Sequence, residues 1–356
     1  MIDTADALTS FAAGTAGADA VALDTEFMRE KTYRAELCLV QIADASQPVC
    51  IDPLKLDLAP LAPMLTAPGT VKVMHAARQD LEVLLPAVGL VTPVFDTQIA
   101  AALAGFPAQI GYAELARRVL GIELSKAHTR TDWSRRPLSP EQQEYALDDV
   151  RHLLTLRERL LETLRDKGRI AWLDEELDAL RNEDALRVAP EDAWKKVKGL
   201  PALDPARQGL AQALAAWRER RAIDRNRPRG WILDDQVLRE IVVRVPRDME
   251  SLSRLPEMQE SVVRKCGEEL LALVQQCAIA DPPPPLPRRE RPDAAQVARV
   301  KRLAEISSDL AKSLDISAEV LATRRELEKL ASGNRDVNLL RGWRAAVVGE
   351  RLSAAL

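Results

Sequence analysis

Histidine is almost missing from this chain: His75, His128 and His152 are the only three in 356 residues. No two of them share a helix face at ligand spacing, which excludes a zinc hydrolase built on a helical histidine pair. Cysteine is scarce as well. Cys38, Cys50, Cys266 and Cys277 form no Cys-x-x-Cys pair, so neither a disulfide frame nor a cysteine zinc site is expected, and the reading is of reduced thiols in a cytoplasmic protein. Aromatics make up only 4% of the chain. Heavy use of Ala, Leu and Arg leans instead toward helix. There is no long apolar run, and the first residues carry the acids Asp3 and Asp6; neither a secretory signal nor a membrane-spanning helix is expected. Charge of one sign is also lacking. A net charge of -4 excludes a protein that coats nucleic acid by bulk charge and leaves local patches open. The length fits two or three domains.

What the chain does have is Ala22-Leu23-Asp24-Thr25-Glu26-Phe27. It closes an apolar run that reads as a buried strand. Strand side chains alternate, so Asp24 and Glu26 emerge on one face, about 7 Å apart. Neighbouring carboxylates repel unless one is protonated or a cation lies between them. Oxygen-only ligands suit magnesium or manganese. Alternatively, one carboxylate meets solvent and the other caps a turn. Strands are expected at 20–26, 36–43 and 48–52, with short connections that favour an antiparallel meander. Strand-like segments at 71–74 and 94–95 then alternate with helices at 77–87 and 97–104, the pattern of parallel strands with helical crossovers. Further helices are expected at 4–13, 111–120 and 140–165. The first domain, 1–185, therefore reads as a mixed sheet flanked by helices.

Two more acidic positions fall in telling places. Asp80 lies in the first turns of a helix that starts just past a strand, where open α/β sheets place their sites; complementing the helix dipole is the alternative. Ser139-Pro140 makes a strong helix start. On that helix Tyr145 and Asp149 are four residues apart and share a face. A Tyr hydroxyl beside a metal-bound carboxylate orients water, whereas a half-buried ring beside a solvated Asp149 is the plainer reading.

Taken in order, Asp24-Thr25-Glu26, His75-Ala76-Ala77-Arg78-Gln79-Asp80 and Tyr145-x-x-x-Asp149 resemble the motifs of the DEDD family of 3′–5′ exonucleases, in its Tyr-containing subfamily. Asp96-Thr97-Gln98 and Arg130-Thr131-Asp132-Trp133-x-x-Arg136-Pro137-Leu138 extend the likeness to the ribonuclease D branch over roughly the first 185 residues. The resemblance implies an RNase H-like fold with two divalent ions, Mg²⁺ or Mn²⁺, that clamp an in-line attack on a phosphodiester. It implies that Asp24 bridges both ions, that Glu26 and Asp149 hold the ion activating water, that Tyr145 orients that water, and that Asp80 serves the leaving-group side. Phe27 and Met28 are candidates to wedge terminal bases, with core packing the alternative for Phe27. Lys126, Arg130 and Trp133 are candidates to contact the substrate strand; a loop ion pair and a buried indole are the alternatives. His75 reads as packing under the sheet edge and Asp96 as a helix N-cap.

From about 170 onward the pattern is helical and charged. Leu203, Leu210, Leu214 and Trp217 fall at helical spacing and read as core. The run from Trp217 to Pro228, with Ile232, Asp235 and Leu238, resembles the helicase-and-RNase-D carboxy-terminal (HRDC) domain, a nucleic-acid-binding module, here at 193–280. Arg220, Arg221, Arg225, Arg227 and Arg229 are candidates to hold phosphates without sequence preference; a solvated helix face is the alternative. Helices are expected at 234–244, 250–254 and 259–277. The Pro-rich stretch 281–292 reads as a stiff linker, and 293–356 as a second, diverged HRDC-like all-α domain. By resemblance the substrate is RNA with a free 3′ end, above all transfer RNA precursors, and the chain acts as a monomer without organic cofactor or membrane. A DNA exonuclease and a non-catalytic RNA-binding scaffold are the rival readings.

Overall fold

The computed structural model describes residues 1–125, 131–186, 189–200, 203–279 and 293–356. Lys126, Arg130 and the Pro-rich stretch 281–292 lie outside the described residues. The chain divides into two compact units: Met1–Met28 with Leu37–Leu186 and Pro292–Leu356, and Arg29–Glu36 with Arg187–Arg291.

The first unit is built on five strands, β1 (Ala20–Met28), β2 (Glu36–Ala43), β3 (Pro48–Ile51), β4 (Val71–Met74) and β5 (Val94–Asp96), in the order β3-β2-β1-β4-β5. β2 and β3 pair antiparallel, with Gln41 opposite Cys50. β1 runs parallel to β4, Ala22 opposite Val73, and β4 parallel to β5, Met74 opposite Asp96. The expected mixed sheet is present, and β1 is its middle strand. Alternation along β1 sorts its residues: Val21 and Leu23 join a core with Leu8, Leu61, Leu81 and Leu84, while Ala22 joins another with Phe95, Leu156 and Leu160. Asp24 and Glu26 continue the Ala22 face.

The helices of this unit are α1 (Ala5–Gly14), α2 (Ala62–Thr66), α3 (Arg78–Val88), α4 (Thr97–Ala104), α5 (Tyr112–Leu120), α6 (Pro140–Arg151), α7 (Leu153–Asp166), α8 (Ile170–Asp178) and α9 (Glu183–Leu186). Ser139 caps α6 through a reciprocal pair with Gln142, and Pro140 sits in its first turn, the geometry a Ser-Pro start favours. The single helix expected over 140–165 is in fact two, α6 and α7, broken at His152 with φ −111° and ψ 0°. The cause is a tyrosine hydroxyl. Tyr112 Oη donates to the Asp148 carbonyl at 2.9 Å and accepts from the His152 amide at 3.3 Å, standing where a direct rung would close.

The last helical segment, opened by a 20-residue helix (Ala294–Ser313), shares the first unit's core. Leu303, Leu310, Leu327 and Leu339 pack in one cluster with Leu103, Leu156 and Leu160. Trp172 and Trp343 stack at 4.4 Å with 10° between rings. Gly105, at φ +114°, permits this approach, because a Cβ there would lie 2.7 Å from the Asp315 carbonyl oxygen. An apolar stripe reveals that a face is buried but not what buries it.

The second unit holds α10 (Pro205–Arg225), α11 (Arg229–Ile232), α12 (Asp235–Arg244), α13 (Met249–Ser253) and α14 (Glu260–Ile279), close to the expected helices. Its core joins Trp194, Leu210, Leu214, Leu238, Ile241 and Leu270. Residues 29–36 belong here too. Tyr33 donates its hydroxyl to Glu219, and the Arg34 amide bonds the Asn226 side chain at 3.1 Å.

Candidate active site

Three elements deliver the acidic side chains. β1 supplies Asp24 and Glu26, α3 supplies Asp80, and α6 supplies Tyr145 and Asp149. One carboxylate oxygen from each of Asp24, Glu26 and Asp149 lies within 4.8 Å of the other two. These three thus converge although 125 positions separate Asp24 from Asp149. Asp80 stands outside that closest trio. It is buried, and its Oδ1 accepts a 2.5 Å hydrogen bond from Thr25 Oγ1.

Burial, with repulsion from neighbouring acids, pushes all four toward their protonated forms. Asp24 is raised well above the ordinary carboxylate range by burial first, then by Asp80, Asp149 and Glu26. Glu26 is pushed up to about 8 by burial and by Asp149 and Asp80. Asp149 rises to about 7, through burial and the adjacent Asp148. Asp80 rises to about 6, with burial partly opposed by the Thr25 hydrogen bond. Such crowding is costly without compensating positive charge. The donor set is all oxygen, compact and half-buried, and it fits hard divalent cations.

Tyr145 lies beside the trio. Its phenol is raised above the ordinary value by burial, then by Asp149, Glu26 and Asp24, so it stays protonated and able to donate. Trp133 stacks on its ring at 6.2 Å and 27°. The indole is 4% exposed, packed with Cys38, Leu39, Cys50 and Leu138. The buried-indole alternative therefore describes Trp133, because its surface is spent on Tyr145 and the core. Met28 packs against the same cluster, and Phe27 is half-buried. Beneath them Arg136 grips Asp52 with two bonds, 2.7 and 2.8 Å long, and also donates to the carbonyls of Cys38 and Trp133.

Several supporting residues escaped sequence reasoning or were read too narrowly. Asp96 caps α4 as expected, accepting from Gln98 and Ile99. It also accepts the amides of Ala76 and Ala77 at 3.1 and 2.9 Å, fixing the turn that opens α3 and so Asp80. Ala76 there has φ +56°. His75 is held by Thr97 and the Ile110 carbonyl, each at 2.9 Å. Tyr112 sets the bend next to Asp149. Only a left-handed alanine or a bonded carboxylate would have marked these roles, and neither leaves a local sequence signal.

In the second unit the expected basic cluster is partly consumed. Arg220 pairs with Glu191, Arg229 approaches Glu219, and Arg221 pairs with Glu269 while lying over the Trp217 ring. Arg225 and Arg227 are exposed.

Comparison with known proteins agrees with this geometry. Residues 1–165 match the family model described as 3'-5' exonuclease, and residues 207–274 match the HRDC domain. The crystal structure of Escherichia coli RNase D, titled an exoribonuclease involved in structured RNA processing, superposes with a TM-score of 0.90 at 33% identity, covering 100% of this chain and 98% of that one. Ribonuclease D of Gluconacetobacter diazotrophicus is 40% identical over 346 residues, 94% of this chain and 86% of its own length. That of Jannaschia sp. is 40% identical over 365 residues, 98% and 92% of the two chains. A middle strand carrying two carboxylates, a third on α6 beside a tyrosine, an α3 aspartate and full-length similarity lead to one assignment: the chain belongs to the ribonuclease D family of 3′–5′ exoribonucleases.

Proposed function

We propose that this exoribonuclease trims the 3′ ends of structured RNAs, transfer RNA precursors among them, one nucleotide at a time. The observation that supports this most is the convergence of Asp24, Glu26 and Asp149 oxygens within 4.8 Å. Asp24, Glu26, Asp149 and Asp80 would hold the divalent ions, with Asp24 central, Glu26 and Asp149 serving the attacking-water side and Asp80 the leaving-group side. Bound Mg²⁺ or Mn²⁺ supplies Lewis-acid activation of water and neutralises charge on the 3′ oxygen. The chain's own residues do the positioning. Tyr145, kept protonated, donates toward the attacking water, and Trp133 keeps its ring from turning. Thr25 holds the Asp80 carboxylate in one orientation. The partial burial of the acids lowers the local dielectric, which strengthens each of these interactions.

The 193–280 unit and the terminal segment 293–356 are read as HRDC-like modules that hold the folded part of the RNA, with the exposed arginines meeting phosphates. The protein is read as a monomer. Among the described residues no helix is long and apolar enough to cross a membrane.

Incubation with 3′-tailed RNA and Mg²⁺ or Mn²⁺ is expected to release nucleoside 5′-monophosphates, and faster than from a matched DNA strand. An inert protein would end the reading, and equal rates would remove the RNA preference. Asp80→Ala is expected to abolish release while RNA binding and melting temperature stay near wild type. A large loss of stability would make Asp80 a helix-dipole residue instead.

A further inference from the structure

Trp231, in α11, is 59% exposed, the most exposed of the large hydrophobic side chains described. An exposed indole offers a broad apolar face and a polar edge to a flat partner. The exposed Arg227 lies over its ring, 5.7 Å from the centroid. The indole also borders a cavity of about 260 Å³ lined by Val237, Met258 and Val262, by Glu257, and by Asp234, whose Oδ1 also caps α12 through the Gln236 amide at 2.7 Å. That size suits one flat ring system rather than a peptide segment, near the lower end of ligand pockets (~300 Å³). The charges are laid out in two zones. Arg227, over the Trp231 ring, sets a cation beside the cavity, where a phosphate belongs. The two acids line the cavity, where a phosphate is repelled but an amino group is welcome.

We propose that Trp231, Arg227 and the adjoining cavity form a one-nucleotide subsite for single-stranded RNA. The base stacks on Trp231, its exocyclic amino group faces Asp234 and Glu257, and Arg227 holds the phosphate. Stacking on an aromatic ring is how proteins grip single strands without reading sequence. The carboxylates add a bias toward bases with exocyclic amino groups over uracil. The proposal rests on the RNA-processing reading above.

The test uses the full chain in chelator, with labelled oligoadenylate and oligouridylate, and anisotropy at several salt concentrations. Trp231→Ala is expected to weaken oligoadenylate binding by about 5- to 100-fold with no change in salt slope, and Trp231→Phe is expected to recover most of the loss. Arg227→Ala should lower the salt slope by about one. Glu257→Gln should narrow the preference for oligoadenylate. If Trp231→Ala binds both strands as wild type does, with an unchanged circular dichroism spectrum, the subsite is overturned and the indole becomes a candidate contact for a protein. If wild type itself neither binds nor shortens RNA, the RNA-processing reading falls first. Should Trp231→Ala fail to fold, Trp231→Phe and Arg227→Ala decide the matter: Arg227→Ala with wild-type affinity and salt slope overturns the subsite.

Discussion

Tyr112 Oη stands inside the helical ladder beside Asp149, donating to the Asp148 carbonyl at 2.9 Å. It accepts in turn from the His152 amide at 3.3 Å. One side chain thereby bridges both groups at the junction of α6 and α7 and fixes the bend at His152, three residues past Asp149. Tyr112→Phe removes the bridge. The amide and carbonyl then either close directly, straightening the helix, or stay unpaired at about 1–3 kcal/mol. In both cases the Asp149 carboxylate turns. We expect the metal concentration for half-maximal rate to rise and the rate at saturation to fall, on the order of 10- to 100-fold together. A metal titration of the rate checks this beside urea denaturation. Lost stability with an unshifted metal dependence would reduce Tyr112 to a structural role.

The raised carboxyls make metal-free stability fall with pH. Asp80, Asp149 and Glu26 titrate in the folded chain at about 6, 7 and 8, all above the ordinary carboxyl values of the unfolded chain. Between pH 4 and 8, roughly, the folded state thus holds protons that the unfolded state has released, and stability declines through this window. In chelator the melting temperature is expected to drop from pH 5 to pH 8. Mg²⁺ or Mn²⁺ should cancel the drop by mass action, and Asp149→Asn should flatten it. Lys72, buried and shifted down to about 8, acts in the opposite sense above that pH, so scans should stop there. A melting temperature that climbs over this window in chelator would contradict the crowding.

Thr25 opposes the burial of Asp80 with its 2.5 Å hydrogen bond. Thr25→Val keeps the shape and deletes the donor, so Asp80 moves further above its value of about 6. The acid limb of the rate–pH profile should shift to higher pH. Activity should be lost most near pH 6.5 and largely recovered near pH 8.5. A uniform loss across the profile would count against this account.

The sheet and the four acids were legible because their signals are local. The apolar run from Ala20 to Leu23 marks a strand, Asp24 and Glu26 extend one of its faces, and Ser139-Pro140 marks the start of α6. The supporting contacts were not legible because they join distant residues. Tyr112 bonds a carbonyl 36 positions away, and Tyr33 bonds Glu219 across 186, with nothing in either neighbourhood to announce it. The surroundings of the last helices were not legible for the same reason: Leu303 and Leu310 declare a buried stripe, but the surface burying it lies with Leu103 and Leu156. Trp133 carried an aromatic signal that suits either substrate or core, and only its stack on Tyr145 decides between them.

Arg136 shows how far behind the reacting groups the positioning extends. It holds the 1%-exposed Asp52 by two bonds and the carbonyls of Cys38 and Trp133 by others. The loop bearing Trp133 is tied to β2 through this one guanidinium, and Trp133 in turn backs Tyr145. Arg136→Ala leaves the buried Asp52 without its ion-pair partner, held only by the Leu54 amide at 3.1 Å, a loss that typically costs about 3–5 kcal/mol. Arg136→Lys keeps the charge but loses the planar fork, and it should cost less stability while still loosening the loop. For the lysine variant we expect a lower kcat with nearly unchanged KM, since the role proposed for Tyr145 is to orient water, not to bind RNA. Tyr145→Phe should lower kcat by on the order of 100-fold. In the Tyr145→Phe background Arg136→Lys should add little, because both changes act through the same phenol. Independent, multiplicative losses in the double variant would separate Arg136 from Tyr145.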